Sequence, residues 1–242
     1  MDDGVLDEQQ AFYRARAPHY DDWWLGRGNY QRGEDRARRW HEQVVTIERA
    51  LAEFGPRGDV LELAGGTGWW TLQLARTAGT LTVVDSSPEA LELNRRRVSA
   101  AEGATTTTEV DYVVADLFSW EPARQFDVVF FSFWLSHVPR ARFADFWALV
   151  RRSLRPGGRA FLVDNRHQPT PGVSGGDPYV VEYLPDLHRR RLEDGREFHV
   201  VKVTYGPDEL AALLQADGWQ PSIDATEWFL YGWAQPADPG VQ

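Results

Sequence analysis

The sequence predicts an α/β protein built on one doubly wound, mostly parallel sheet of seven strands. Three observations support this fold class. Short apolar runs alternate with amphipathic segments from residue 34 to about residue 164, as they do where helices connect parallel strands. The run FDVVFFSF is almost wholly apolar, which is typical of a strand covered on both faces. A glycine-rich turn, AGGTG, directly follows the first apolar run.

The first half of the pattern gives two strands and three helices. Residues 34–54 place apolar side chains at spacings of three and four, so we predict one amphipathic helix that ends at Gly55 and Pro56. The strand DVLELA follows, then a helix from Trp69 to Thr77 and a second strand, LTVVD. In SSPEALELNRRRV a serine precedes Pro88 at the first helical position, so we expect a helix to begin there.

The second half of the pattern supplies the other five strands. YVVADLF and FDVVFFSF are the predicted third and fourth strands, and a helix follows at roughly 141–154. We expect RPGG to end this helix and AFLVD to form the fifth strand. A helix from Pro207 to about Asp217 then precedes the last two strands, SIDAT and WFLYGWA.

Two segments depart from this alternation and are predicted to be additions to it. Residues 1–54 would form an N-terminal helical arm or lid on a core of residues 55–242, although FYRARAPHYDDWW within the arm is polar and interrupted by proline and is not expected to be a good helix. An insertion at about 165–205 begins with the loop NRHQPTPGVSGGDP. It continues with an inserted hairpin, RRRLEDGREFHVVKVTY, around an Asp-Gly turn.

Composition narrows the class of partner. The net charge of −10 repels phosphate backbones, so we expect no nucleic acid as the main partner. No apolar run approaches the roughly 18 residues that cross a bilayer, and the start MDDGVLDEQQ lacks the features of a secretion signal. With no cysteine, disulfide and thiol chemistry are excluded. We therefore expect a cytoplasmic protein that does not bind membranes and exists as a monomer or homodimer.

The glycine-rich turn and two aspartates indicate a ligand site. At such a turn, missing side chains let a ligand lie against the backbone, although a tight turn without a ligand would use the same residues. Asp85 ends the second strand about twenty residues later, where a carboxylate can accept hydrogen bonds from both hydroxyls of a ribose. Asp116, followed by Leu117 and Phe118, ends the third strand and would suit an adenine. Each aspartate alone could be a turn residue or a helix cap.

Five motifs in their order resemble one family. VLELAGGTG, LTVVD, VVADLF, FDVVFFSFWLSHV and LRPGGRAFLVD look like the motifs of the class I S-adenosylmethionine-dependent methyltransferases of the small-molecule type, over roughly residues 55–165. The resemblance implies a Rossmann-like sheet and S-adenosylmethionine as the cofactor. This chain departs from the pattern at one position: it has Ala64 where the usual motif has its first glycine. The cofactor-binding residues implied by the resemblance are Tyr20, Glu62, Ala64, Gly65, Gly66, Gly68, Asp85, Ser86, Asp116, Leu117, Phe118 and Phe133.

Two other functions remain open at this point. A nicotinamide-dependent oxidoreductase also pairs glycines with a downstream acid, but the third glycine of its G-x-G-x-x-G pattern would fall at Thr71 and is absent. Such a site would also not need Glu62 or Asp116. The second alternative is a non-catalytic module that binds the cofactor within a complex.

The resemblance implies transfer of a methyl group to oxygen or nitrogen of a small-molecule metabolite, and a base is needed only if the acceptor arrives protonated. His137 follows the fourth strand and titrates near neutral pH, so it is our candidate base. A structural hydrogen-bonding role would explain this histidine equally well. The arm aromatics Tyr13, Tyr20, Trp23 and Trp24 would cap the pocket or pack on the domain. The six histidines lack metal-ligand spacing, so we predict no metal.

Overall fold

The computed structural model describes residues 3–101, 108–166 and 178–237, which form seven α-helices and ten strands. The helices are α1 (Asp3–Arg16), α2 (Tyr20–Leu25), α3 (Glu34–Phe54), α4 (Trp69–Leu74), α5 (Pro88–Ala101), α6 (Phe143–Ser153) and α7 (Pro207–Ala216). The strands are β1 (Asp59–Leu63), β2 (Thr80–Asp85), β3 (Glu109–Val114), β4 (Phe126–Ser132), β5 (Leu154–Asn165), β6 (Val180–Leu184), β7 (Leu187–Arg191), β8 (Glu197–Val201), β9 (Trp219–Ala225) and β10 (Phe229–Pro236).

Seven strands form the main sheet, in the order β3-β2-β1-β4-β5-β10-β9. The first five are parallel, whereas β10 pairs antiparallel with both β5 and β9. Strand order reverses at β1, whose neighbours are β2 and β4, and this is the position at which doubly wound sheets open a crevice. The predicted fold class is confirmed.

Helices cover both faces of this sheet, which explains the continuous apolar runs. In β4, Val129, Phe130 and Phe131 are completely buried, and successive residues enter opposite cores. One core contains side chains of α6 and α7, and the other contains side chains of α3, α4 and α5. The ring of Phe54 on α3 lies 5.1 Å from that of Phe161 on β5, so the helix at the end of the predicted arm packs on the sheet. The division of the chain at residue 54 stays a prediction.

Helix ends follow the local sequence. Gly55 takes a left-handed conformation after α3, and its N–H donates to the Leu51 carbonyl, which satisfies one of the last carbonyls of the helix. Ser87 accepts a hydrogen bond from Ala90 N–H at 3.0 Å and so caps α5, with Pro88 as its first residue. Both boundaries agree with the sequence prediction.

The prediction that FYRARAPHYDDWW is a poor helix is wrong. Helix α1 extends to Arg16, a 3-10 turn covers Ala17–His19, and α2 begins at Tyr20. Pro18 is tolerated because it lies at the start of the short 3-10 turn, where its missing N–H is not needed. The buried face of α1 has a helical spacing, but two of its four members are polar, which hides the pattern: Leu6, Gln9, Phe12 and Arg16.

Two strand boundaries also differ from the prediction. Strand β3 ends at Val114, two residues before Asp116, because the chain turns there: the Asp116 carbonyl accepts hydrogen bonds from Ser119 N–H and Trp120 N–H. RPGG does not separate α6 from the next strand but lies inside β5, where the pairing with β4 is irregular and Gly157 has φ +79°.

The inserted hairpin is confirmed and is part of a larger unit. Strands β6, β7 and β8 form a separate antiparallel sheet. Helix α1 docks on β8, where Gln9 accepts a hydrogen bond from Val201 N–H at 3.0 Å and Glu8 accepts one from His199 N–H at 2.7 Å. Most of the predicted loop NRHQPTPGVSGGDP lies outside the described residues. No helix in the described ranges is long and apolar enough to cross a membrane.

Candidate functional site

The glycine loop lies at the carboxyl end of β1, where the strand order reverses. Its conformation is fixed by main-chain hydrogen bonds, from Gly65 N–H to the Val84 carbonyl and from Gly68 N–H to the Gly65 carbonyl, each at 3.2 Å. Helix α4 begins directly after Gly68. These bonds fix the loop at the carboxyl edge of the sheet, where doubly wound folds bind their ligands.

Glycine is needed at the three positions of the loop for different physical reasons. A Cβ atom on Gly65 would overlap the side chain of Val83, and one on Gly68 would lie 2.6 Å from the side chain of Asn94. These two glycines are therefore required by the packing of the protein itself. A Cβ atom on Gly66 would meet no described atom within 4 Å, so Gly66 is the residue that presents bare backbone to open space. The sequence interpretation treated all three glycines alike, as residues that allow either the approach of a ligand or a tight turn.

Two strained residues flank the cleft. Ala64, at the position of the missing glycine, has φ +53°, and Phe133, at the end of β4, has φ +52°. A left-handed conformation costs a residue with a Cβ atom roughly 1–2 kcal/mol. Such strain is concentrated at functional sites, where the surrounding structure fixes the backbone. Phe133 is held by a 2.7 Å hydrogen bond from its N–H to the Val163 carbonyl.

Glu62 is a buried carboxyl at the base of the loop. Only 1% of its surface is exposed, and its Oε2 accepts a 2.6 Å hydrogen bond from the Thr71 hydroxyl. Asn94 in turn donates to the Thr71 hydroxyl at 2.7 Å. Burial raises the pKa of Glu62 to about 8; the Thr71 hydrogen bond opposes this shift and the nearby charge of Asp85 adds to it.

Asp85 ends β2 and joins the glycine loop directly. Its Oδ2 accepts a 2.9 Å hydrogen bond from Gly66 N–H, and its Oδ1 accepts one of 2.8 Å from Ser87 N–H. Burial raises the pKa of this carboxyl, while hydrogen bonds from Ser87, Gly66 and Ser86 oppose the shift. The Ser86 carbonyl accepts a hydrogen bond from Arg14 at 3.2 Å, which connects this corner to α1.

The group Asp116, Leu117 and Phe118 occupies the turn after β3. Asp116 Oδ1 accepts a 3.0 Å hydrogen bond from Phe118 N–H, which is the turn role that the sequence left open. Leu117 is buried in the core, and the Phe118 ring packs against Trp134 at a centroid distance of 5.5 Å. The geometry of the turn leaves Asp116 half-exposed, and its contact with an adenine stays a prediction.

The N-terminal arm forms the opposite wall of the cleft. The residues that line the cleft are Tyr20, Asp21, Trp23, Trp24, Ala64, Gly65, Gly66, Thr67, Gly68, Trp69, Trp70, Ser132 and Phe133. Burial raises the pKa of the Tyr20 phenol, the first residue of α2. The structure therefore brings Tyr20 to the glycine loop and Phe133 beside them.

Asp21 attaches this wall to the loop. Its carboxylate accepts a 2.5 Å hydrogen bond from the Thr67 hydroxyl and forms an ion pair with Arg97 on α5. Arg97 also donates to the Thr67 carbonyl at 2.9 Å. We call Asp21, Thr67 and Arg97 the arm latch.

His137 lies in the 3-10 turn after β4 and is 5% exposed. Because a carbonyl only accepts, the 2.7 Å contact with the Val201 carbonyl makes Nδ1 the protonated nitrogen. Its Nε2 then accepts a 2.7 Å hydrogen bond from the Tyr13 hydroxyl. Burial, and next the charge of Lys202, lower the pKa of His137 well below its usual value, so the ring is neutral at neutral pH. The Tyr13 ring lies between His137 and Tyr20, with centroid distances of 5.0 and 6.2 Å.

Sequence reasoning missed the polar residues that support the site. Thr71, Asn94 and the arm latch were not identified, because their partners lie on different elements and no local spacing indicates them. Thr67, within AGGTG, is the one member that the motif itself could have indicated. Within the described ranges, no three acidic or histidine side chains are close enough to hold a metal ion.

Comparisons with known proteins agree with this geometry. The sequence model of the family described as "Methyltransferase domain" matches residues 60–158. The solved DhpI-SAH complex is 34% identical, with a TM-score of 0.78 over 98% of this chain and 99% of that chain. A DhpI-SAM-HEP complex has the same identity, a TM-score of 0.77 and coverage of 98% and 100%.

A curated relative extends the comparison to plants. The "Probable thiol methyltransferase 2" of Arabidopsis thaliana is 31% identical over 139 residues, which are 54% of this chain and 56% of the relative. The chain thus spans little more than half of that relative. The family model and this plant protein are both described as methyltransferases. The end-to-end similarity to the DhpI complexes, together with the family match, shows that the chain belongs to the class I S-adenosylmethionine-dependent methyltransferases.

Proposed function

We propose that this chain transfers a methyl group from S-adenosylmethionine to an oxygen or nitrogen atom of a small-molecule acceptor. The observation that carries the proposal is the junction of Gly66 and Asp85, where bare backbone and a carboxylate meet at the reversal of strand order. The relatives support the donor, since the DhpI structures contain SAM or SAH.

The residues of the cleft fit this cofactor. Gly66 leaves open space for an approaching ligand, and the buried carboxyl of Glu62 and the half-buried carboxyl of Asp85 lie next to the loop. In the proposed arrangement Glu62 and residues 64–68 hold the methionine part and Asp85 the ribose. Ser86, Asp116, Leu117 and Phe118 surround the adenine, and Tyr20 and Phe133 close the cleft. When bound, the cofactor supplies a methyl group that its sulfonium has already activated for in-line displacement.

The main task of the protein is then to align the acceptor and exclude water. The arm latch holds α2 and its aromatic side chains against the glycine loop. Trp24 of α2, 7% exposed, packs on Trp70 of α4, 3% exposed, at a centroid distance of 5.8 Å. This wall limits water access to the cleft without any metal or covalent step.

Proton removal, where the acceptor requires it, would involve His137 through Tyr13. Both ring nitrogens of His137 are hydrogen-bonded, Nδ1 to Val201 and Nε2 to Tyr13, so among the contacts of the described residues a proton reaches Nε2 by way of the Tyr13 hydroxyl. The low pKa makes a lasting imidazolium unfavourable. We therefore propose that His137 mainly orients Tyr13 and acts as a base only through it.

The test is turnover with a panel of small phenols, amines and carboxylic acids. S-adenosylmethionine, the chain and one acceptor are mixed, and S-adenosylhomocysteine and the methylated product are measured by mass spectrometry. We expect S-adenosylhomocysteine to accumulate only in the presence of an acceptor. Tight cofactor binding with no product from any acceptor would instead favour a non-catalytic binding module.

A further inference from the structure

A buried arginine next to the cleft is not used by the cofactor site. Arg16, the last residue of α1, is 5% exposed. Its guanidinium carbon lies 5.2 to 5.9 Å from the centroids of four aromatic rings, those of Phe12, Tyr20, Tyr30 and Tyr179. We call Arg16 and these four rings the arginine cage.

The hydrogen bonds of the cage leave this cation incompletely satisfied. Arg16 Nη2 donates to the Tyr30 hydroxyl at 2.6 Å. Its Nε–H is buried and has no acceptor within the described residues, and no described carboxylate forms an ion pair with it. Cation–π contacts offset part of the desolvation of a guanidinium, but they do not satisfy an N–H donor. A buried charge in this state indicates that an anion is needed to complete the site.

A second arginine lies against the same cage. Arg190, on β7, is 4% exposed, and its guanidinium carbon lies 5.4 Å from the centroid of the Phe12 ring. Lys202 is also close, donating to the Ser136 hydroxyl at 2.9 Å, and the charges of Lys202 and Arg190 both act on His137. Positive charge is therefore concentrated at this junction of arm and insertion, in a chain whose net charge is −10.

The cage adjoins the cleft through Tyr20. Tyr20 belongs both to the cage and to the wall of the cleft that contains Gly66. Glu193 lies at the outer rim, where its carboxylate accepts hydrogen bonds from the Tyr179 hydroxyl and Asn29, both at 3.2 Å. Its contacts are with these neutral groups rather than with the Arg16 guanidinium.

We propose that the methyl acceptor carries a compact oxyanion, a carboxylate or a phosphate, that binds in the arginine cage at the Nε–H of Arg16. A guanidinium is suited to this role because its planar fork matches the oxygens of a carboxylate or phosphate. The positive charge of Arg190 strengthens the attraction. The inference rests on the proposed function, since it assigns the chemical class of acceptor for that reaction.

The test is calorimetric titration of the full chain with inorganic phosphate and, separately, with acetate. The chain is first saturated with S-adenosylhomocysteine, so that the glycine loop cannot bind the anion, and chloride keeps the ionic strength constant. We expect saturable binding of at least one anion to the wild type, and comparison of the two titrations shows which oxyanion is preferred. Arg16→Met should weaken this binding about tenfold or more, because the unsatisfied donor is lost. Arg38→Met is the matched control, since Arg38 is exposed and pairs with Asp35 on the surface.

Equal anion affinity in the wild type and Arg16→Met, or no saturable binding of either anion to the wild type, would overturn the inference. If circular dichroism shows that Arg16→Met does not fold, Arg190→Met takes its place. We expect it to bind the anion several-fold more weakly, and an unchanged affinity would contradict the inference. The initial titration with S-adenosylhomocysteine separates the two proposals. Failure of that step counts against the proposed function, whereas cofactor binding without an anion effect counts against the cage alone.

Discussion

Glu62 couples the protonation state of the protein to occupancy of the cleft. Its pKa of about 8 means that the carboxyl is mostly protonated in the free protein at pH 7. In the proposed arrangement it faces the charged amino-acid end of the cofactor, which would favour the ionised form. We predict that binding of S-adenosylhomocysteine at pH 7 releases close to one proton.

The proton release is measured by calorimetry in two buffers of different ionisation enthalpy. Glu62→Gln removes the titrating group and should abolish the release, whereas Glu42→Gln, an exposed change on α3, should not. A wild-type protein that binds the cofactor with no proton exchange would contradict the assigned role of Glu62. The same shift affects folding. Because the folded pKa is raised, the stabilisation is fully present below about pH 4.5 and is lost as the pH rises through 8.

Ala64 provides a test of backbone strain. At φ +53° a glycine removes a cost of roughly 1–2 kcal/mol, against which the greater freedom of an unfolded glycine costs roughly 0.4–1 kcal/mol. We predict that Ala64→Gly raises the free energy of unfolding by up to about 1.5 kcal/mol, measured by urea denaturation. Ala212→Gly, at an exposed position inside α7, should lower it by about 1 kcal/mol. A loss of stability in both variants would show that Ala64 is not strained.

Tyr13 and His137 should act as one unit. Tyr13→Phe removes the hydrogen bond that joins the imidazole to the arm, so we predict a fall in kcat of about tenfold or more with a nearly unchanged KM for the cofactor. His137→Gln should have a similar effect, and the double variant should be no slower than either single one. Activity is measured as S-adenosylhomocysteine formed from the best acceptor. If the losses in kcat of the two single variants add in the double variant, Tyr13 and His137 do not act as one unit.

At the residue scale, the positions of the motif residues could be predicted from the sequence. The polar residues that hold those motif residues in place could not. Asp85 and Gly66 were identified from the sequence, and the structure joins them by a hydrogen bond. Gly68 was also identified, but for a different reason, since Asn94 packs where its Cβ would be. The hydrogen bond between Thr71 and Asn94 joins residues on α4 and α5, and only tertiary packing brings those helices together.

At the element scale, the arm latch decides how firmly α2 covers the cleft. The Asp21 and Arg97 side chains are about one quarter exposed, so we expect the ion pair and its hydrogen bond to contribute about 1 kcal/mol. Asp21→Asn should therefore speed amide hydrogen exchange in Tyr20–Leu25 about fivefold, measured by mass spectrometry. Asp22→Asn, whose carboxylate contacts only the exposed His19 among the ion pairs of the described residues, is the control. Equal exchange in Asp21→Asn and the wild type would show that the latch does not hold the arm.

Elements with simple periodicity were predicted well, and elements whose buried face is polar were not. Helix α3 was correct at both ends because its five buried residues are all apolar: Trp40, Val44, Ile47, Leu51 and Phe54. Helix α1 was missed because Gln9 and Arg16 are buried on its inner face. Both make specific contacts, Gln9 with β8 and Arg16 with the rings of the arginine cage. The apolar periodicity of α1 is therefore broken on the helix face that is proposed to bind the acceptor.

At the scale of the whole molecule, the ligand site lies where the strand order of the sheet reverses. A positively charged region lies on one side of this site, and carboxyl groups lie on the other. The chain as a whole carries a net charge of −10, whereas Arg16, Arg190 and Lys202 concentrate positive charge at the junction of the arm with the insertion. An anionic acceptor would be attracted to this region, while the rest of the surface repels it. The carboxyls of Glu62 and Asp85 lie on the other side of Tyr20, towards the glycine loop.

The proposed function requires the cofactor to lie across Gly66 with its ribose on Asp85, and calorimetric titration with S-adenosylhomocysteine measures whether it does. The wild type and the control Asp111→Asn, an exposed change on β3, should bind with equal affinity. Asp85→Ala should bind about 10- to 100-fold more weakly, because the ribose hydroxyls lose their acceptor. Binding of equal strength by Asp85→Ala, or no binding by the wild type, would rule out this arrangement of the cofactor.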